Sequence, residues 1–410
     1  MTLGFIAFIL SEKVHVSSIP LLIVLGLLFG PIFGMIERQE AHHIFNYARI
    51  FGLVIILFTE GHNLKWRLIR KHIATIGILD TIGLLVTALI SGLFFSLIFR
   101  QPFAIGFLFG AIISATDPAT LIPLFKQNKV EENVRTVIVT ESIFNDPLGI
   151  VLTILAISLI IPQASEARLV ESISHFTGIF PAAAIFFLYQ IISSIVIGSA
   201  IGVLGYWIIK WLKPGFMPQM LGLALAFGGF LVGEMMQTSG YLIATVIGIV
   251  FGNHELIFKK TKQNAIFKSF IYQELNFNEI LSDFSSIFIF ILIGASINLS
   301  IFGDILMKGI MLALIIIFVA RPIAVLGLFP LKRWNFREYL FISLEGPRGV
   351  VPSALAGLPL TLGLMYKQQP LIDAGEIILA ATTITILVSV IAETLWMKPL
   401  SKILLKHNKN

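Results

Sequence analysis

Long apolar runs alternate with short polar stretches along almost the whole chain. By length and hydropathy the runs predict membrane-crossing helices over 18–36, 44–61, 73–99, 103–125, 134–161, 180–212, 217–236, 238–258, 280–297, 305–329, 338–364 and 374–400. A helix needs about 20 apolar residues to cross the hydrocarbon core, and these runs supply them. A further run over 2–11 is too short to span, and reads as a helix whose beginning is missing from the chain. Counted with it, the segments number 13. The longest polar stretch, 259–280, carries Ile266, Phe267, Phe270 and Ile271 at helical spacing. It is expected either to lie on the membrane surface or to extend the next helix into the cytoplasm.

Composition agrees with the pattern. The 410 residues are 57% hydrophobic and 13% charged, whereas a soluble domain is about 25% charged. The fold class is therefore an all-α polytopic membrane protein, one integral unit over 1–410 with no separate soluble domain. The net charge of +6 raises the question of a nucleic-acid partner, but the distribution of the charges answers it. Of the 29 Lys and Arg, 21 fall in alternate loops on one side, among them Arg67, Arg70, Lys126, Arg333 and Lys402. Six fall on the other side, and only Arg321 and Arg348 lie inside apolar runs. Positive loops stay in the cytoplasm, so the N-terminus is expected outside and the C-terminus inside a cell membrane, with no nucleic acid bound.

Other chemistries find little support. The chain has no cysteine, which excludes thiolate metal sites. No cleavable leader is evident. The eight histidines sit in loops or at span ends, and no His-Glu-x-x-His pattern occurs. Ser142 has no intramembrane histidine to activate it. The chain is not expected to be an enzyme, nor to hold a cofactor. Gly26, Gly30 and Gly34, and separately Gly198 and Gly202, recur at four-residue spacing and are expected to be packing surfaces, a dimer contact being the alternative. Glu60, at the end of span 44–61, reads either as an interfacial carboxylate facing water or as an attractor of cations in a cytoplasmic funnel.

Acidic residues at membrane depth are costly and mark ion or proton pathways. Span 134–161 holds Glu141, Ser142, Asn145 and Asp146, which share one helix face at about 100° per residue. Their hard oxygens suit a hard cation, and Asp146 reads as a carrier carboxylate for a small cation or a proton. Span 103–125 holds Thr116-Asp117-Pro118 and then Pro123. Each proline leaves the carbonyl four residues back without its donor, Ser114 and Ala119 respectively. A broken helix is expected, its freed carbonyls open to a cation and Asp117 offsetting the charge of a helix end. A buried arginine needs a carboxylate, so Arg321 should pair with Glu141 or, in competition, Glu345. Glu345-Gly346-Pro347-Arg348-Gly349-Val350-Val351-Pro352 reads as a second broken helix, with Glu345 and Arg348 balancing its end charges. The two broken segments are the fifth and the twelfth, so they enter the membrane in opposite directions. Inverted repeats with crossed broken helices are the architecture of secondary transporters.

These four motifs, on four separate helices, resemble the NhaP-type sodium/proton antiporters, prokaryotic relatives of the animal sodium/proton exchangers. The resemblance covers nearly the whole chain. It implies an NhaA-like fold of 13 helices in a homodimer, with a core domain near 73–161 and 305–400. The dimerisation domain then lies near 1–61 and 217–297, joined by a linking helix over 180–212. It further implies that Asp146 binds Na⁺ and carries H⁺, with Glu141, Ser142 and the Thr116 backbone carbonyl as companion ligands and Arg321 as the partner of Glu141. Asn145 before Asp146 is similar to the electroneutral branch. Asp117, Glu345, Arg348 and Glu60 support the site. The expected activity is exchange of one Na⁺ (or Li⁺) for one H⁺ by alternating access in the service of pH homeostasis. K⁺/H⁺ exchange is the alternative within transport, and a cation channel the alternative outside it.

Overall fold

The computed structural model describes residues 4, 7, 17–128, 130–161, 170, 172–174, 177–211, 218–257 and 264–405. Among them the regular elements are all helical. Seven helices are long and apolar enough to cross a membrane: Arg38–Asn63, Trp66–Phe99, Glu132–Ile160, Pro181–Ile209, Ile271–Ala295, Leu299–Leu331 and Gln369–Leu405. A bent pair, Phe103–Ser114 with Pro118–Asn128, makes an eighth. Four shorter apolar helices, Ser18–Ile32, Gln219–Met235, Gly240–Gly252 and Val350–Met365, fall where further spans are expected. Apart from Gly4 and Ala7, the run over 2–11 lies outside the described residues. The polar stretch before span 280–297 is helical from residue 264 onward, part of one continuous helix, Asn264–Ala295. Its Ile266, Phe267 and Phe270 therefore extend a membrane helix.

By packing, the chain divides into two compact units. The first comprises Met1–Arg49, His72–Ala156 and Ile287–Asn410. Here the glycine stripe of the Ser18–Leu27 helix brings two backbones together. A Cβ on Gly26 falls 2.2 Å from the Ile291 carbonyl oxygen, and one on Gly30 falls 2.6 Å from Cα of Ala295. Gly34 takes a positive φ of 65° and has nothing within 4 Å. Two of the three glycines thus serve contacts inside the chain, the close helix approach that small residues permit in lipid. Both partners of that contact lie in this first unit. Within the same unit Leu84–Phe99 grips Phe103–Ser114. A Cβ on Gly110 falls 1.9 Å from the Ala88 carbonyl oxygen, and the rings of Phe95 and Phe109 stack at 4.5 Å. The first half of the bent pair is held by this grip.

The second unit comprises Ile50–Lys71 and Ile157–Ser286. Gly198 and Gly202 let the Ile179–Trp211 helix settle on Val246 and Val250, whose Cβ atoms stand 2.8 Å from a Cβ placed on either glycine. The Asn253 side chain ties the turn after the Arg38–Asn63 helix, donating to the Leu64 carbonyl at 2.8 Å and accepting from the Trp66 N–H at 2.7 Å. His62 and Glu274, 1% and 0% exposed, form a buried pair at 3.2 Å.

Candidate ion-binding site

The first unit contains two helix breaks joined to each other. In the first, the helix Phe103–Ser114 stops, Ala115–Asp117 is non-helical, and a second helix starts at Pro118, bent by 43°. Pro118 opens that helix at a position that needs no N–H, so it begins a helix. Pro123 lies inside Pro118–Asn128 without ending it. Asp117 caps the new helix: its Oδ2 accepts from the Thr120 N–H at 2.8 Å and also from the Thr120 hydroxyl. A carboxylate at a helix N-terminus offsets the partial positive charge there, which is the role expected of it.

The second break follows Phe336–Leu344, a helix begun by a capping box between Asn335 and Glu338. Glu345–Gly349 is non-helical, and Val350–Ala356 resumes the path. Gly349 lies against Asp117, whose Cγ would stand 2.2 Å from any Cβ at that position. The Asp117 N–H donates to the Pro347 carbonyl at 2.8 Å. Arg348 donates from Nη1 to the Ser114 carbonyl at 2.7 Å and to the Ala115 carbonyl at 3.1 Å. The Ser114 carbonyl, expected to be open to a cation, is therefore occupied by a guanidinium. Arg348 balances the C-terminal end of the opposite broken helix, across the crossing and away from its own. Glu345 is the C-cap of Phe336–Leu344 and the first residue of this break.

The polar face of Glu132–Ile160 meets this crossing. Glu141, Asn145 and Asp146 are 1% exposed and Ser142 is 0% exposed. The Asn145 carbonyl accepts from the Thr116 N–H at 3.0 Å. Its amide donates to the Thr116 hydroxyl at 2.8 Å and to Glu141 Oε1 at 3.1 Å. The Ser142 and Thr116 hydroxyls share a hydrogen bond of 2.8 Å. Thr116, in the first break, is thus clamped to the helix that carries Asp146. Only an amide can do what Asn145 does here, since a carboxylate has no donor for Thr116 and Glu141.

Arg321 pairs with Glu141 through two bonds, Nη1 to Oε1 at 2.6 Å and Nη2 to Oε2 at 2.7 Å. Of the two acids competing for it, Glu141 supplies the carboxylate, and Glu345 contributes its backbone carbonyl at 3.3 Å. Arg321 follows a π-helical turn, Ile316–Ala320, a local widening often found at functional sites. Glu141 is neutralised, Asn145 is neutral, and Asp146 is the remaining carboxylate of this face, one turn beyond Ser142. The face thus gathers several oxygen atoms and, beside the paired Glu141, one further carboxylate.

Two buried acids within electrostatic reach of Arg321 escape the sequence reading. Asp80, 4% exposed, lies in a π-helical turn Leu79–Gly83 within electrostatic reach of Glu141 and Arg321. Glu393, 2% exposed, lies on Gln369–Leu400 and accepts from the Gly346 N–H. Each is an acid inside an apolar run, the signal that marks Glu141 and Asp146. Neither stands beside a proline or glycine motif. Glu60 is half-buried on Arg38–Asn63, in the other unit, and makes none of the hydrogen bonds just described.

Residues 1–403 match the family described as sodium/hydrogen exchanger, transmembrane. Two relatives from Methanocaldococcus jannaschii are each 33% identical. The one named probable Na⁺/H⁺ antiporter 2 aligns over 97% of this chain and 94% of its own length. The other, Na⁺/H⁺ antiporter 1, aligns over 100% and 95%. The structure of the sodium proton antiporter MjNhaP1 from the same organism at pH 8 superposes with a TM-score of 0.84 at 32% identity, covering 99% of this chain and 97% of that one. A more distant relative, the K⁺/H⁺ antiporter NhaP of Alkalimonas amylolytica, is 27% identical over 88% of this chain and 59% of its own.

Proposed function

This chain belongs to the sodium/hydrogen exchanger family, and from that premise we propose that it exchanges one Na⁺ for one H⁺ across the cell membrane by alternating access. The observation that carries this reading is the closed Glu141–Arg321 pair beside Asp146 on one buried helix face. With Glu141 neutralised, the charge that changes hands is that of Asp146. Ionised, it holds Na⁺ with oxygens of Ser142, Glu141 and Thr116; protonated, it carries H⁺ back. The moving part is the core, 73–161 and 305–400, which carries the crossing. The N-terminus lies outside and the C-terminus in the cytoplasm, by the bias of 21 of 29 Lys and Arg to one side. The working form is a homodimer.

The test is the purified full chain in liposomes loaded with a pH-sensitive dye. Na⁺ and Li⁺ are expected to drive proton efflux, and K⁺ to do so at least about tenfold less well; a tenfold preference is about 1.4 kcal/mol of differential binding. Equal rates with K⁺ would assign the chain to the chemistry named for its more distant relatives. Stoichiometry is read separately. Moving one net charge against 100 mV changes the driving force by about 2.3 kcal/mol, or about fiftyfold. With one charge carried each way, a potential set by valinomycin and K⁺ is expected to leave the Na⁺-driven rate unchanged. A rate that tracks the imposed potential counts against one-for-one exchange.

A further inference from the structure

Behind the Glu141–Arg321 pair lies a cavity of about 10 Å³, lined in part by Arg321, Gly346, Arg348, Ser389, Glu393 and Trp396. Three of its lining residues each present a buried polar atom that makes no hydrogen bond within the protein: Nε of Arg321, Oε2 of Glu393 and Nε1 of Trp396. A polar cavity near that size holds one water when two to four polar groups converge on it. Here two groups donate, the guanidinium and indole N–H, and one accepts, the carboxylate. A water matches that set by accepting twice and donating once. A cation is opposed by two guanidiniums, and an anion by the carboxylate.

Glu393 also has a direct task. Its Oε1 accepts from the Gly346 N–H in the second break, and Ser389, one turn earlier, accepts from the Arg348 N–H at 3.1 Å. Two side chains four residues apart on the last long helix thus hold two N–H groups of a segment that has no helical partners for them. Gly346 in turn lies over the arginine, with Arg321 Nε 3.2 Å from where a Cβ would stand.

We infer that this cavity is the site of one ordered water bridging Arg321, Glu393 and Trp396, and that Glu393 is a positioning residue which holds the Arg321 guanidinium in register with the helix crossing. The functional consequence rests on the transport reading above; the water site does not.

The test uses the mismatch that an amide creates. In Glu393→Gln the carbonyl still accepts from Gly346, but the amide nitrogen turns a third donor toward a water with two lone pairs. Trp396→Phe removes one donor and keeps the ring that meets Phe318 at 5.6 Å. The full chain is measured in liposomes for its apparent KM for Na⁺, and in detergent for its midpoint of thermal unfolding. Glu393→Gln is expected to raise KM about tenfold and Trp396→Phe about threefold, as for buried bonds to a charged group. The double variant is expected back near threefold, because the second change restores the donor count. A double variant near thirtyfold, the product of independent effects, overturns the bridging water. A lowered unfolding midpoint in Glu393→Gln with KM unchanged overturns the positioning role. If the wild type moves no protons with Na⁺, the functional reading fails. The water site is then decided by the midpoints alone: recovery in the double variant supports it and additive losses overturn it.

Discussion

Asp146→Asn brings Na⁺-driven proton movement in proteoliposomes down to the protein-free rate. Asn has the size of Asp and keeps an oxygen for a cation, so the fold should survive. What it lacks is a charge that can come and go. Asp146 is 1% exposed, so an arriving Na⁺ gives up its water and must be repaid by fixed charge. A unit charge about 4 Å away contributes about 4 kcal/mol at the effective dielectric of a partly buried site, about a thousandfold in affinity. The return half-cycle fails as well, because an amide carries no exchangeable proton. Both legs are lost with one atom change, and the effect should exceed that of any neighbour. Glu141 cannot substitute, since its charge is already balanced by Arg321. Exchange by this variant at even a tenth of the wild-type rate would remove Asp146 from the centre of the mechanism.

Much of this site could be read from residue types alone, because lipid makes polar residues conspicuous. Glu141, Ser142, Asn145 and Asp146 fall on one helix face by periodicity, and all four are buried. The breaks at Thr116-Asp117-Pro118 and at 345–349 follow from proline and glycine in runs that otherwise read as continuous helix. Partner choice is less legible. A sequence shows that Arg321 and Arg348 need acceptors; which acceptors they find depends on how the two breaks cross. Arg321 takes Glu141, but Arg348 takes two backbone carbonyls, which carry no signature in a sequence. Glu345 offers Arg321 its backbone carbonyl, a contact that its side-chain charge does not announce. Glycine stripes point to close packing without naming the surface that fills them, and Gly34 packs against nothing. Gly26 and Gly30 meet the chain's own 291–295 stretch. Asp80 and Glu393 show the cost of reading motifs ahead of single residues. A lone acid in an apolar run is as informative as a motif, and both of these converge on Arg321 through space.

Arg321 is accordingly the second position where a substitution should be severe, and for a different reason. Arg321→Ala leaves Glu141, 1% exposed, without its counter-charge. Breaking a buried pair from one side costs about 3–5 kcal/mol, because the remaining ion is neither solvated nor neutralised. Asn145 still donates one hydrogen bond to Glu141, which places the expected loss toward the lower end of that range. The variant should unfold at a clearly lower temperature in detergent and exchange no Na⁺. Arg321→Lys keeps the charge but not the fork, losing one of the two bonds to Glu141 and the contact with the Glu345 carbonyl. It should hold most of the stability while transporting poorly. The informative variant is the double, Arg321→Ala with Glu141→Gln. Removing both charges removes the unpaired ion, so stability should return to within about 1–2 kcal/mol of wild type, as replaced ion pairs commonly do. Transport should not return, because the fork that fixes the Glu141 oxygens beside Asp146 is gone. A double variant that regains stability and exchange together would reduce the pair to a structural fastening. A single Arg321→Ala variant with wild-type stability would mean that Glu141 is not held as an ion at all, and the charge balance assigned to Asp146 would have to be redrawn around the acids nearest to it.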